Sequence, residues 1–246
     1  MINIKIFALL TIFMNSEIKD IKQFSYFLFS MNENQIAQGT GFFIKKNAQT
    51  YLVTASHNFF QDKFAKVKTA DSFYIRLYEK KLNAVSFLNV ANNPVPKSKR
   101  TEALDINFYK LTIPSIYKIK IVDVNSSCTP SSILCYGFGV VDGNDDNPDF
   151  YIKNLAPTEF KGNLIFNYNE PIRYTETNEI DFNNYVASYE SETLKRGTSG
   201  SPVFSSCQKN GVIKHEFAGL IHIRNEETKI ATILRPEIIK QIIDEL

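Results

Sequence analysis

The chain is 246 residues long, with 28 lysines and arginines against 26 acids and a formal charge of +2. That length suits one domain with a sizeable core, and a charge so near balance leaves no electrostatic footprint for nucleic acid or for an acidic membrane surface. Tryptophan is absent while phenylalanine and tyrosine number 20 and 12, a composition suited to strands packed on aromatic cores.

Lys5 precedes the apolar run Ile6 to Met14, which has the length of a signal-peptide core and is too short to cross a bilayer. A signal peptide over residues 1–16 and a secreted or periplasmic protein are therefore expected, with the cytoplasm as the alternative and no stable membrane span. The single lysine, and the lack of a small-x-small site at Asn15-Ser16-Glu17, leave open a buried N-terminal strand or a start at Met14. Strand-like runs then alternate with polar turns at 24–31, 37–44, 51–55, 73–78, 83–90, 105–111, 132–139, 164–167, 185–189, 201–204, 216–223 and 229–233. This spacing predicts an all-β barrel fold.

Several segments between and within these runs carry chemistry. Gly39-Thr40-Gly41-Phe42-Phe43-Ile44 and Tyr51-Leu52-Val53 read as a hairpin whose second strand ends in Thr54-Ala55-Ser56-His57. Asn92 to Arg100, with two prolines and the run Lys97-Ser98-Lys99-Arg100, reads as a solvated surface loop. Asp105 opens a strand with apolar Leu104, Ile106 and Phe108, and Thr112 to Lys120 reads as a link between two halves. Three cysteines, Cys128, Cys135 and Cys207, are an odd number, so at least one is free within the chain. Two readings stand: buried free thiols, or one disulfide involving Cys207, with Cys128 the favoured partner over Cys135. Asp142 to Asp149 is acid-rich but lacks the bidentate glutamate that closes an EF-hand loop, so no metal and no cofactor is expected.

Arg196-Gly197-Thr198-Ser199-Gly200-Ser201-Pro202-Val203-Phe204 is the most informative stretch. Gly-x-Ser-Gly-x-Pro is a turn that presents a serine, and a glycine two residues ahead of it lets the amides of Gly197 and Ser199 converge on one spot beside the hydroxyl, an oxyanion hole. A lone histidine or a lone strand-opening aspartate is ordinary. His57, Asp105 and Ser199 in that order supply a base near neutral pKa, an acid to orient it and a hydroxyl to activate. His215 reads as merely exposed. Pro236 opens an amphipathic helix over 236–246, with its apolar face toward the core.

In these motifs the chain resembles the chymotrypsin-like serine proteases. The resemblance runs over about residues 24 to 246, and also takes in Cys135-Tyr136-Gly137-Phe138-Gly139 and Phe217-Ala218-Gly219-Leu220-Ile221-His222-Ile223. His57 and Asp105 are 48 residues apart, and Asp105 and Ser199 are 94 apart, close to that family's spacing and in its order. The resemblance implies two six-stranded antiparallel Greek-key β-barrels, about 24–112 and 121–235, with the active site between them and a short C-terminal helix. Residues 17–246 would form a stand-alone protease domain acting on polypeptide substrates; its oligomeric state is not implied. The triad would be His57, Asp105 and Ser199, with Gly197 and Ser199 donating to the oxyanion.

The resemblance also places a substrate pocket at Thr193, His222, Ile223 and Arg224. Thr193 stands six residues before the nucleophile, where trypsin-like members carry an acid, so Lys and Arg are expected to be poor P1 residues. His222 has two registers. One sets it beside Asp105 and keeps Gly219 on the family's glycine; the other, slipped by one residue, points it into the pocket as in glutamyl endopeptidases and viral 3C-like proteases. Arg224 would narrow the pocket or attract an acidic side chain. Thr198 replaces the aspartate that pairs with a freed N-terminus in pancreatic members, so no such activation is expected and the likeness leans toward the bacterial and stress-protease branch. An active serine endopeptidase is the leading expectation. A silent protease-fold binding module is the alternative, with an esterase or transferase third.

Overall fold

The apolar-polar alternation at 73–78 produces a strand with two unlike faces: Phe73, Ile75 and Leu77 are buried, while Tyr74, Arg76 and Tyr78 are wetter. The same logic recurs along the chain. The computed structural model describes every residue except 1–20, 33–34, 62–66, 127–128, 139–155, 166–167, 174–178, 190–196, 210–211 and 226. The expected signal peptide, Cys128, the acid-rich loop at 142–149 and Thr193 lie outside the described residues.

The first half contains β1 (Tyr26–Asn32), β2 (Gln35–Lys46), β3 (Gln49–Thr54), β4 (Ser72–Glu79), β5 (Ala84–Ala91), β6 (Asn107–Leu111) and β7 (Tyr117–Lys118). They form a curled antiparallel sheet in the order β5-β4-β1-β2-β3-β6, with β7 on the end of β4. β2 and β3 are joined by Asn47-Ala48, both at positive φ (49° and 63°), as a type I′ hairpin requires. The second half contains β8 (Ser132–Gly137), β9 (Thr158–Leu164), β12 (Asn184–Tyr189), β13 (Pro202–Lys209), β14 (Val212–Asn225) and β15 (Ile230–Leu234), which close into a six-stranded barrel; β10 (Ile172–Arg173) and β11 (Ile180–Asp181) pair apart from it. Helix α1 (Pro236–Glu245) follows.

The all-β, two-barrel arrangement with a C-terminal helix is thus present, with a difference between its halves. Only the second is closed by hydrogen bonds among the described residues. Two local expectations shift: the strand expected at 164–167 is the end of β9 at Thr158–Leu164, and the expected link at 112–120 contains β7. Cys207 is disulfide-bonded, and Cys135 is a fully buried free thiol whose burial pushes it up to about 12.

Period-two alternation also explains the three largest parts of the core. Phe43, Leu52 and Tyr109 point into the first sheet's concave side, whereas their neighbours Phe42, Val53 and Phe108 point out of it. In the second barrel Ile133, Cys135, Val203 and Ile221 fill the interior, while Leu134, Tyr136, Phe204, Phe217 and Leu220 face out. The two outward sets meet, with Phe42 and Phe217 ring centroids 5.5 Å apart. Helix α1 covers the seam with Ile239, Ile242 and Ile243. A middle layer of this kind locks the halves at one angle, and the loops at its edge carry the site.

Candidate active site

β3 ends at Thr54, and the chain turns at once through a single 3-10 turn, Ser56–Asn58, that leaves His57 half-exposed. β6 pairs directly with β3, so the residues just ahead of β6 arrive beside that turn. Asp105 therefore meets His57: its Oδ1 accepts the His57 backbone amide at 3.1 Å and its Oδ2 lies 2.6 Å from His57 Nδ1. The contact fixes the tautomer, because a carboxylate can only accept, so Nδ1 carries the proton and Nε2 keeps its lone pair. Burial alone would raise the Asp105 pKa. The neighbouring His222 and His57 imidazoles outweigh that and hold the carboxyl well below the usual carboxylate range.

Ser199 enters from the other half, in the turn ahead of β13. Gly197 and Gly200 sit at φ 99° and 90°, backbone that favours glycine. At Gly200 there is also no room: a Cβ would lie 2.1 Å from the Thr40 carbonyl oxygen. The turn is stitched to the first half by several bonds. Thr40 N donates to the Ser199 carbonyl at 3.1 Å, Asn58 Nδ2 donates to the same oxygen at 2.9 Å, and Thr40 Oγ1 donates to the Gly197 carbonyl at 2.8 Å. Gly200 N donates to the Ile221 carbonyl at 2.8 Å, tying the turn to β14 as well. Ser199 is thus anchored to the residue next to His57, while its own hydroxyl donates to the His222 carbonyl at 3.2 Å.

His222 takes the first of its two registers. β14 carries a bulge there: Ile221 pairs with Ile233 and Ile223 with Thr232, so His222 is the extra residue and its side chain is re-aimed. Its Nδ1 lies 3.5 Å from Asp105 Oδ2 and its Nε2 lies 2.9 Å from Asn184 Oδ1. The reading of His222 as a pocket-wall residue is corrected accordingly, since the buried ring faces Asp105. Ile223 and Arg224 follow on β14 with side chains outside the described set.

Several residues that position the site were missed in the sequence. Thr40, Thr54 and Asn58 are all buried, and Asn58 Nδ2 also bonds Thr54 Oγ1, which in turn donates to the Thr40 carbonyl. Thr40 and Thr54 lie inside the motifs above and Asn58 directly follows His57, but their residue types carry no local mark of these partners. The 92–100 segment is likewise more than a solvated loop. Lys97 Nζ donates to Ser56 Oγ at 3.1 Å and to the Leu104 carbonyl at 2.6 Å, bridging the residues just before His57 and Asp105. Asn92 is buried and bonded to Phe59, Ala70 and Tyr109. A lysine spaced like any surface lysine gives no sign of such a partner.

Two interlocked β-halves with His57 and Asp105 on one and Ser199 on the other define the chymotrypsin-like fold. Among solved structures the chain is similar to the serine endoprotease from Yersinia pestis, at 13% identity and TM-score 0.55, covering 94% of this chain. It spans 65% of that longer chain. It is also similar to an inactivated protease paralogue of the scabies mite, at 14% identity and TM-score 0.53, over 94% of this chain and 98% of that one. A third, the tobacco etch virus protease complexed with product, matches at 10% identity and TM-score 0.50, over 89% and 75% of the two chains. These neighbours are proteases by name, and identities this low carry the fold. No protein-family model and no curated protein sequence matches the chain.

Proposed function

We propose that the chain is a serine endopeptidase that works through an acyl-enzyme. The observation that carries this reading is the 2.6 Å bond from His57 Nδ1 to Asp105 Oδ2, made on an exposed imidazole whose chain neighbour Asn58 anchors Ser199. His57 Nε2 would take the Ser199 Oγ proton as Oγ attacks the substrate carbonyl, while Asp105 stabilises the imidazolium so formed. The amides of Gly197 and Ser199 would bind the oxyanion, and Gly197 already holds the positive φ such a turn needs. The imidazolium then protonates the leaving amine, and a water molecule repeats the sequence to release the acid. Residues 17–246 would form the protease domain, with Thr193 and Arg224 disfavouring Lys and Arg at P1. The disulfide at Cys207 supports an oxidising compartment and export.

One observation favours the silent binding module instead: the Ser199 hydroxyl donates to the His222 carbonyl rather than to His57. A fluorophosphonate probe separates the two readings. Labelling of the wild type that disappears in Ser199→Ala supports the endopeptidase, and a wild type that stays unlabelled sinks it.

A further inference from the structure

Asp105 Oδ2 lies between two imidazoles. His57 Nδ1 is 2.6 Å away on the exposed side and His222 Nδ1 is 3.5 Å away on the buried side. The second ring is largely buried, its Nδ1 out of reach of solvent, and its protonation follows from a chain of fixed donors and acceptors. Asp181 at the end of β11 accepts the Asn183 amide at 2.8 Å and Asn184 Nδ2 at 2.6 Å. Because a carboxylate only accepts, Asn184 must turn its NH₂ to Asp181 and its carbonyl Oδ1 to His222. Asn184 Oδ1 can only accept, so His222 Nε2, 2.9 Å away, must be an N–H.

That leaves Nδ1. In the neutral ring it would be a bare lone pair, buried without a hydrogen-bond partner among the described residues and facing a carboxylate oxygen. Moving the single proton to Nδ1 would set the Nε2 lone pair against Asn184 Oδ1. Flipping the Asn184 amide to relieve that would set its oxygen 2.6 Å from Asp181 Oδ2. Each neutral arrangement buries two acceptors face to face, a loss of about 1–3 kcal/mol or more in each case. The doubly protonated ring removes both clashes: its Nε2–H bonds Asn184 Oδ1, and its positive Nδ1–H faces Asp105 Oδ2 at ion-pair range, 3.5 Å. The charged groups around it are Asp105 ahead of β6, His57 beyond that carboxylate, Asp181 behind Asn184, and Arg235, whose Nε donates to the Asn184 carbonyl at 3.1 Å. Two acids thus face two or three cations.

We infer that His222 is a buried imidazolium that shares Asp105 with His57 and acts as a positioning residue for the His57–Asp105 pair. The bulge in β14 exists to aim it there, and the Asn184–Asp181 relay holds its far side. This inference rests on the endopeptidase reading for its catalytic meaning, but its geometry stands apart from turnover. With a cation behind it, Asp105 stays ionised and oriented, and its pull on the His57 imidazolium is shared.

The test has two arms. Long-range proton–nitrogen correlation spectra of the full chain, recorded on the uninhibited protein near neutral pH, report the protons on each ring nitrogen directly. His222 is expected to show two protonated nitrogens and His57 one; a His222 with a single protonated nitrogen overturns the proposal whether or not the protein hydrolyses peptides. The second arm compares His222→Gln with His222→Phe. Glutamine keeps a donor but removes the charge, so the acid limb of kcat/KM should move to higher pH, with kcat down about 10–100-fold and KM little changed, as for groups that orient a ligand through a neighbour. An acid limb that stays in place while only thermal stability falls assigns His222 a packing role and also overturns the proposal. A wild type inert to peptides and probe but with the two-proton His222 signature would sink the endopeptidase reading alone.

Discussion

The first sheet holds His57 and Asp105 through side chains, whereas the second barrel holds Ser199 through its backbone. On the first side the parts are an imidazole, a carboxylate and the Lys97 ammonium, gripping one another at the ends of the hydrogen-bonded strands β3 and β6. On the other side two glycines at positive φ set the turn, and the bonds that hold it come from β14 beneath it and from Thr40 and Asn58 across the seam. The open sheet and the closed barrel differ in the same sense. A side-chain constellation tolerates a sheet that stays open among the described residues, while a backbone-defined turn needs a rigid frame beneath it. Substitutions on the two sides should therefore fail differently.

The largest effect is expected where the sides meet. Ser199→Ala should lower kcat about 10⁶-fold with an unchanged melting temperature, measured with a fluorogenic peptide pool, and adding His57→Ala should make it little worse because the residues act as a unit. Asp105→Asn should cost about 10⁴-fold, because the amide favours the wrong histidine tautomer. It should also flatten the acid side of the stability curve. The Asp105 pKa is depressed in the fold, so its contribution is complete above the unfolded value and is lost as pH falls through the lower folded one. Denaturant titrations from about pH 6 down to about pH 3 should then show the wild type losing more stability than Asp105→Asn, starting near pH 4 where unfolded aspartates titrate. The opposite order would mean that the carboxylate is not stabilised where it sits.

Legibility in the sequence divides along the same line. His57, Asp105 and Ser199 stand out in the sequence because each flanks a strand pattern, His57 after β3, Asp105 before β6 and Ser199 before β13. Helix α1 was readable because Pro236 and its isoleucines mark both its start and its apolar face. Thr40, Asn58, Lys97 and Asn184 were not, since each acts by a hydrogen bond to a residue far away in sequence, and nothing local marks the partner. The register of His222 was left between two faces for a related reason: a bulge adds one residue without changing composition.

Smaller effects sharpen the contrast. Thr40→Val keeps the shape but leaves the Gly197 carbonyl and the Phe138 amide without the hydroxyl they share, at a cost of about 1–3 kcal/mol for each buried group. Activity should fall while the His57–Asp105 proton signal stays in place. A variant that instead loses that signal would show that the two sides are not separable. Lys97→Met should do the reverse, loosening His57 and Asp105 while Ser199 stays anchored, and should lower the melting temperature by a few degrees, in line with about 1 kcal/mol per lost bond. Least of all, Cys135 should resist alkylation in the native protein, since its buried thiol titrates near 12. Rapid labelling would mean that the closed barrel opens more readily than the open sheet.

The apolar layer between the halves has a consequence for the protein's birth. Phe42, Val53 and Phe108 leave the ribosome long before Phe217, Leu220 and the isoleucines of α1 that cover them. A nascent chain carrying only the first sheet has half an interface and no Ser199, so the candidate site is incomplete until the last strands emerge and the seam closes. Severed near residues 112–120, the two pieces should each be poorly folded alone and should regain hydrolysis on mixing, which makes the chain a natural split reporter whose output is association itself.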